Sequence, residues 1–137
     1  MTPAAIKIAV TSRFNTLVAI TRTPDLPFVF ENVAYKPPAT LQAYARIYTV
    51  FGEKRLTQIG GTLKDYRRVG RLQVQLHSAL NIGEALALEL ADLVELSFQS
   101  VSAGGITYRT PTTTTVGADG GWWRVDVSCP FFVNDQA

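Results

Sequence analysis

Histidine, cysteine and methionine each occur once in this chain of 137 residues. A lone cysteine excludes an internal disulfide framework and any cysteine-rich zinc site. A lone histidine excludes a histidine metal triad and leaves little for acid–base or nucleophilic catalysis. Charge is also scarce, at 18% of residues with a net of +2, short of the bias or stripe expected of a dedicated nucleic-acid binder. No apolar run approaches the roughly 18 residues of a membrane-spanning helix. The first residues, Met1-Thr2-Pro3-Ala4-Ala5-Ile6-Lys7, lack the basic start and apolar block of a signal peptide, so the expected compartment is a reducing cytoplasm. The reading is of a chain that is not an enzyme and needs no cofactor or metal.

What is present suffices for one core. Hydrophobic residues make up 47%, and a chain of this length buries roughly two-thirds of its unfolded surface. A single domain over residues 1–137 is expected.

Periodicity predicts the elements. Thr2 can cap and Pro3 can open a helix along which Ile6, Val10, Phe14, Leu17 and Val18 recur at helical spacing. Pro24 and Pro27 bracket a turn. A short strand is expected at 28–31, and a longer one from 41 to 51 with Leu41, Ala43, Ala45, Ile47 and Thr49 on one face and Gln42, Tyr44, Arg46, Tyr48 and Val50 on the other. Residues 52–66 read as a loop around Gly60-Gly61, or as two strand extensions joined there. In the strand 69–77, Leu72, Val74 and Leu76 face inward while Arg71, Gln73, Gln75 and His77 face solvent. A second helix is expected over about 83–99 with Leu86, Leu90, Leu93, Val94 and Phe98 on its buried stripe. An extended strand from 106 to 116 then turns at Asp119-Gly120-Gly121 into a last strand, 122–133, with Cys129 on its apolar face. Pro130 predicts that this strand ends at an edge or beyond pairing. The order, α-β-β-β-α-β-β, gives an α+β fold: a mainly antiparallel β-sheet with two α-helices packed on one face.

No catalytic motif emerges, and the paired glycines are turn residues, since none lies in a phosphate-loop pattern. The charges, however, are segregated. Lys54, Arg55, Lys64, Arg67, Arg68 and Arg71 are six of the thirteen basic residues, with only Asp65 among them. The second helix carries Glu84, Glu89, Asp92 and Glu95, four of the eleven acids. Acids early in a helix suit its dipole; Asp92 and Glu95 need another reason. Opposite signs on one small chain can support head-to-tail association of identical subunits. A solvated basic stretch and a nucleic-acid groove remain open beside that reading. Tyr44, Arg46 and Tyr48 are candidates for a contact between subunits or, equally, for a second core layer under a helix. The Thr-rich approach 110–119 is read as a flexible reach towards a partner.

Several turn-and-strand phrases, in this order, resemble the tail terminator (tail completion) proteins of long-tailed bacteriophages, the lambda-type terminator among them. They are Thr23-Pro24-Asp25-Leu26-Pro27 after the first helix, Phe30-Glu31-Asn32-Val33-Ala34-Tyr35-Lys36-Pro37-Pro38, then Arg68-Val69-Gly70-Arg71-Leu72-Gln73-Val74-Gln75-Leu76. Asn81-Ile82-Gly83-Glu84-Ala85 leads to Leu90-Ala91-Asp92, and Gly120-Gly121-Trp122-Trp123-Arg124-Val125-Asp126-Val127-Ser128-Cys129-Pro130-Phe131 closes the series. The resemblance implies a homo-hexameric ring on the last ring of tail tube protein. That ring would end polymerisation, offer the joining surface for the head-tail connector or stopper protein, and pass genomic DNA through its lumen without sequence-specific binding. It implies assembly in the host cytoplasm and a final place at the neck end of the virion tail. Another neck or head-completion protein, or a small basic nucleic-acid-binding domain using Lys54, Arg55, Arg67, Arg68 and Arg71, is the alternative. An enzyme with an unrecognised site is the weakest reading.

Overall fold

The computed structural model describes residues 1–21, 26–30, 32–38, 41–58, 65–81 and 84–136. Helix α1 runs Pro3–Leu17, and the Thr2 hydroxyl accepts a hydrogen bond from the Ala5 backbone N–H at 3.2 Å, so one of the unpaired donors of the first turn is satisfied. Ile6, Val10 and Phe14 are spaced by four residues and are fully buried. A short strand β1, Phe28–Phe30, follows, then two long strands, β2 (Ala43–Gln58) and β3 (Asp65–Ala79). Of the two readings of residues 52–66, the paired extensions are therefore the observed one over the described residues; Gly60 and Gly61 lie outside them, as does Pro24.

Helix α2 spans Ala85–Phe98 and buries Ala87, Leu90, Ala91, Val94, Ser97 and Phe98. A small hairpin, β4 (Ser102–Ala103) and β5 (Ile106–Tyr108), precedes β6 (Thr112–Asp119) and β7 (Trp122–Gln136). Gly120 and Gly121 both sit at positive φ, 58° and 86°, the geometry of a two-residue hairpin turn.

The sheet has seven strands in the order β1-β2-β3-β7-β5-β4, with β6 also paired to β7. Among the described strands, β1–β2 is the one parallel pair. The α+β expectation holds. The single strand expected at 106–116 is broken instead at Arg109-Thr110-Pro111, with β5 and β6 pairing successive stretches of β7. That break also explains Pro130, where β7 does not end: it continues to Gln136, with Pro130 opposite Arg71. The Pro130 carbonyl accepts from the Arg109 N–H at 2.9 Å, so its nitrogen faces the gap between β5 and β6, where no ladder bond is lost.

Both helices lie on one face. Ala45 and Ile47 of β2, Leu72, Val74 and Leu76 of β3, and Val125, Val127, Cys129, Phe131 and Val133 of β7 join the buried residues of α1 and α2 in one core cluster. Among the described residues no helix lies on the opposite face of the sheet, which leaves it as the natural place to look for contacts. No helix among the described residues is long and apolar enough to cross a membrane.

Candidate interaction surfaces

The helix-free face is built of rungs set by register: Tyr44, His77 and Arg124; Arg46, Gln75 and Asp126; Tyr48, Gln73 and Ser128; Val50, Arg71 and Pro130. Directly opposed residues share a face. The first rung is closed over by its own aromatics. Tyr44 stacks on His77 with ring centres 4.6 Å apart and planes 4° from parallel, Trp122 meets Tyr44 edge-on at 5.0 Å, and Tyr35 leans on it at 5.4 Å. Arg46 ties the connector down by donating from Nη1 to the carbonyls of Phe30 (3.2 Å) and Val33 (3.1 Å). Arg124 grips Asp126 through two bonds, 2.7 and 2.8 Å, and reaches Asp119 at 3.0 Å. The hydrogen bonds to Asp126 are the main reason its pKa is raised.

Of the three residues expected to form a subunit contact, then, Tyr44 is buried at 7% exposure and Arg46 is held by its own chain. Tyr48 is half-buried on the uncovered centre of the sheet. Among the described residues no helix makes a second layer there. The expectation of a solvated His77 is corrected too: it points to the predicted face but is 6% exposed, because Tyr44 covers it. Burial pushes its pKa below the ordinary 6.5, and nearby Arg124 pushes it further down.

A folded-state pKa depressed in this way means that the unfolded chain binds the proton more readily. The stability contributed by neutral His77 is therefore present above pH 6.5 and lost as pH falls below it. His77→Phe keeps the ring stack and removes the titration. Its melting temperature should fall less than that of the wild-type chain between about pH 7.5 and about pH 5, and equal falls would show that His77 titrates as it does in the unfolded chain.

The basic stretch is not one patch. Arg55, Arg67 and Arg71 fall on the helix-free face, whereas Lys54 lies opposite Arg68 on the helix side. Lys64 is outside the described residues. Arg67 donates to the Asn134 side chain at 3.0 Å and lies over the Phe132 ring at 4.3 Å, with Arg109 over the same ring at 4.8 Å. Lys54 sits over Tyr66 at 4.8 Å, and Arg55 pairs with Glu53 at 3.0 Å. Arg71 is exposed and makes no ion pair among the described residues. Arg109, Phe132 and Val69 belong to this end of the face but were not anticipated. The alternation of the last strand, continued past Pro130, is the signal that points to Phe132.

On α2, Glu89 and Asp92 are exposed and likewise unpaired among the described residues. Glu95 is different: it accepts a hydrogen bond from the Thr113 hydroxyl at 2.6 Å, which supplies its reason for being there and joins α2 to β6. The Thr-rich segment is accordingly a paired strand and not a flexible reach. Leu96, one turn beyond Asp92, is 75% exposed; helical spacing from Asp92 places it on the same outer stripe.

Chemistry is scarce at these positions. Burial pushes the Cys129 thiol up to about 12, keeping it protonated, and among the described residues no three His, Cys, Asp or Glu side chains gather in a metal-holding group.

No curated protein matches the chain. Among the solved structures that match, one is similar at a TM-score of 0.59 and 21% identity, over 90% of this chain and 92% of that one; at that identity the likeness concerns the fold alone. The family model described as phage tail terminator protein matches residues 5–131, from the first turn of α1 to two-thirds of the way along β7. The chain belongs to the phage tail terminator protein family.

Proposed function

We propose that copies of this chain close the end of a phage tail tube as a ring of six, stop addition of tube protein, and offer the joining surface for the head-tail connector. The observation that carries the proposal is the family match over residues 5–131. The surface chemistry supports it: charges of opposite sign on separate elements with no ion-pair partner among the described residues, and a half-covered sheet face bearing tyrosine and arginine, the residues that interfaces favour. In this setting genomic DNA passes through the lumen without sequence-specific contacts, and the protein resides at the neck end of the virion tail after assembly in the host cytoplasm.

Purified protein mixed with tail tubes and imaged by negative stain should show a six-fold ring at one tube end. Decoration along the tube wall, or no binding, would remove this reading.

A further inference from the structure

We infer that neighbouring copies of this chain meet through two different surfaces: the outer stripe of α2 on one copy, with Glu89 and Asp92, seats against the far end of the helix-free sheet face on the next, with Arg67 and Arg71. This rests on the tube-capping reading for the presence of several copies; the choice of surfaces comes from the structure.

Three observations support this pairing. The first is placement. α2 packs on one side of the sheet and the Arg67–Arg71 end opens on the other. A subunit seated by its helix on a neighbour still offers its own sheet face to the next, as a head-to-tail contact requires. The second is charge. Glu89, Asp92 and Arg71 have no ion-pair partner among the described residues of their own chain. Asp92 lies past the midpoint of α2, where the helix dipole gives an acid no support, and its exposed carboxylate is open to a cation from another copy.

The third is apolar content. Leu88 (37% exposed) and Leu96 (75%) border the acids, and Val69 (41%) and Phe132 border the arginines. Each side thus has apolar surface beside its charges, as protein contacts do.

Nucleic acid is the competing occupant of a basic face with aromatics. Here the Phe132 ring already lies against two guanidinium groups, at 4.3 and 4.8 Å, so its face is not offered to a base.

The test uses the full chain with Glu89→Arg and Asp92→Arg, with Arg67→Glu and Arg71→Glu, and with all four changes together. Assembly is read by capping of tail tubes and by sedimentation of the protein alone. Each double reversal should raise the concentration for half-assembly at least about tenfold, and the four-site chain should recover most of that loss, since reversed charges again face opposite ones. Melting curves confirm folding, and Asp92→Asn and Arg71→Gln serve as milder variants if a reversal does not fold. Assembly of either double variant at the wild-type concentration, or no recovery in the folded four-site chain, would overturn the inference. So would salt-dependent DNA binding that Arg67→Glu and Arg71→Glu abolish while assembly is unchanged. A wild-type chain that self-associates with this charge pattern yet caps no tube would leave the contact standing and remove the tube-capping reading. A chain that neither caps nor self-associates would remove both.

Discussion

Replacing Phe98 with alanine should cost about 3–5 kcal/mol of folding stability and lower the melting temperature by roughly 10 °C or more. Phe98 is the last residue of α2 and is fully buried. Its ring meets Tyr108 edge-on at 5.2 Å, and Tyr108 in turn meets Phe131 at 6.2 Å. The Arg13 guanidinium lies 5.6 Å from the Phe98 ring centre and 5.4 Å from that of Tyr108, while Arg13 Nε donates to the Ser97 carbonyl at 2.8 Å. One side chain thus joins both helices to the β5–β7 part of the sheet.

The size of the loss depends on whether the walls can close over the gap. Tyr108 is held by its backbone N–H to the Val101 carbonyl at 2.8 Å, and the next residue by the Arg109 N–H to Pro130 at 2.9 Å. Walls pinned in this way relax little, which places the cost towards the upper end of the range for deleting a buried aromatic. Loss of the partly desolvated cation–ring contact adds about 0.5–2 kcal/mol to the same side. Against a total stability of about 5–15 kcal/mol for a domain, this single change removes a third or more. Urea titration of the wild-type and Phe98→Ala chains measures it directly. A difference below about 1 kcal/mol would mean that α2 does not end against Tyr108 as described.

Period and punctuation made most of the fold legible. The alternation of Leu72, Val74 and Leu76 with glutamines placed β3 and its buried side correctly, and Thr2-Pro3 marked the start of α1, because both signals are local. Strand lengths were less legible. The β2–β3 register shifts between Phe51 and Lys54, and such a bulge breaks the alternation that a reader follows. The surfaces suffered for a related reason. Arg67 and Arg68 look like one cluster in the chain, but neighbours on a strand face opposite ways, so the basic stretch divides between the two sides of the sheet. His77 was given the correct face and the wrong environment. Its burial comes from Tyr44, and that end of the face is enclosed by Tyr35 and Trp122, which are far from it in the chain. The paired state of Glu95 rests likewise on Thr113, which only the fold brings near.

Gly70→Val is the second change expected to have a large effect, and its sign is decided by two opposing contributions. Strand propensity favours valine over glycine by up to about 1 kcal/mol. Space opposes it. A Cβ at residue 70 would stand 2.8 Å from the Val50 carbonyl oxygen, and 2.8 and 3.1 Å from two atoms of the Phe131 ring. Gly70 lies between Phe51 and Phe131 on one rung of the helix side, and the Phe131 ring occupies the room the glycine leaves. That ring is 2% exposed and packs on Tyr108, so it can yield only by disturbing the Phe98 cluster. The carbonyl can yield only by moving β2 from β3. Overpacking of this kind costs about 1–3 kcal/mol, and more where backbone must move. The steric cost exceeds the propensity gain, and the net expectation is a destabilisation of about 2 kcal/mol. Gly70→Ala removes most of the added bulk but keeps the two closest contacts, so it should also destabilise, by less. Denaturant midpoints for the two variants give the comparison. A valine chain as stable as the wild type would show that Phe131 does not lie across residue 70, and that the glycine is there for a reason other than room.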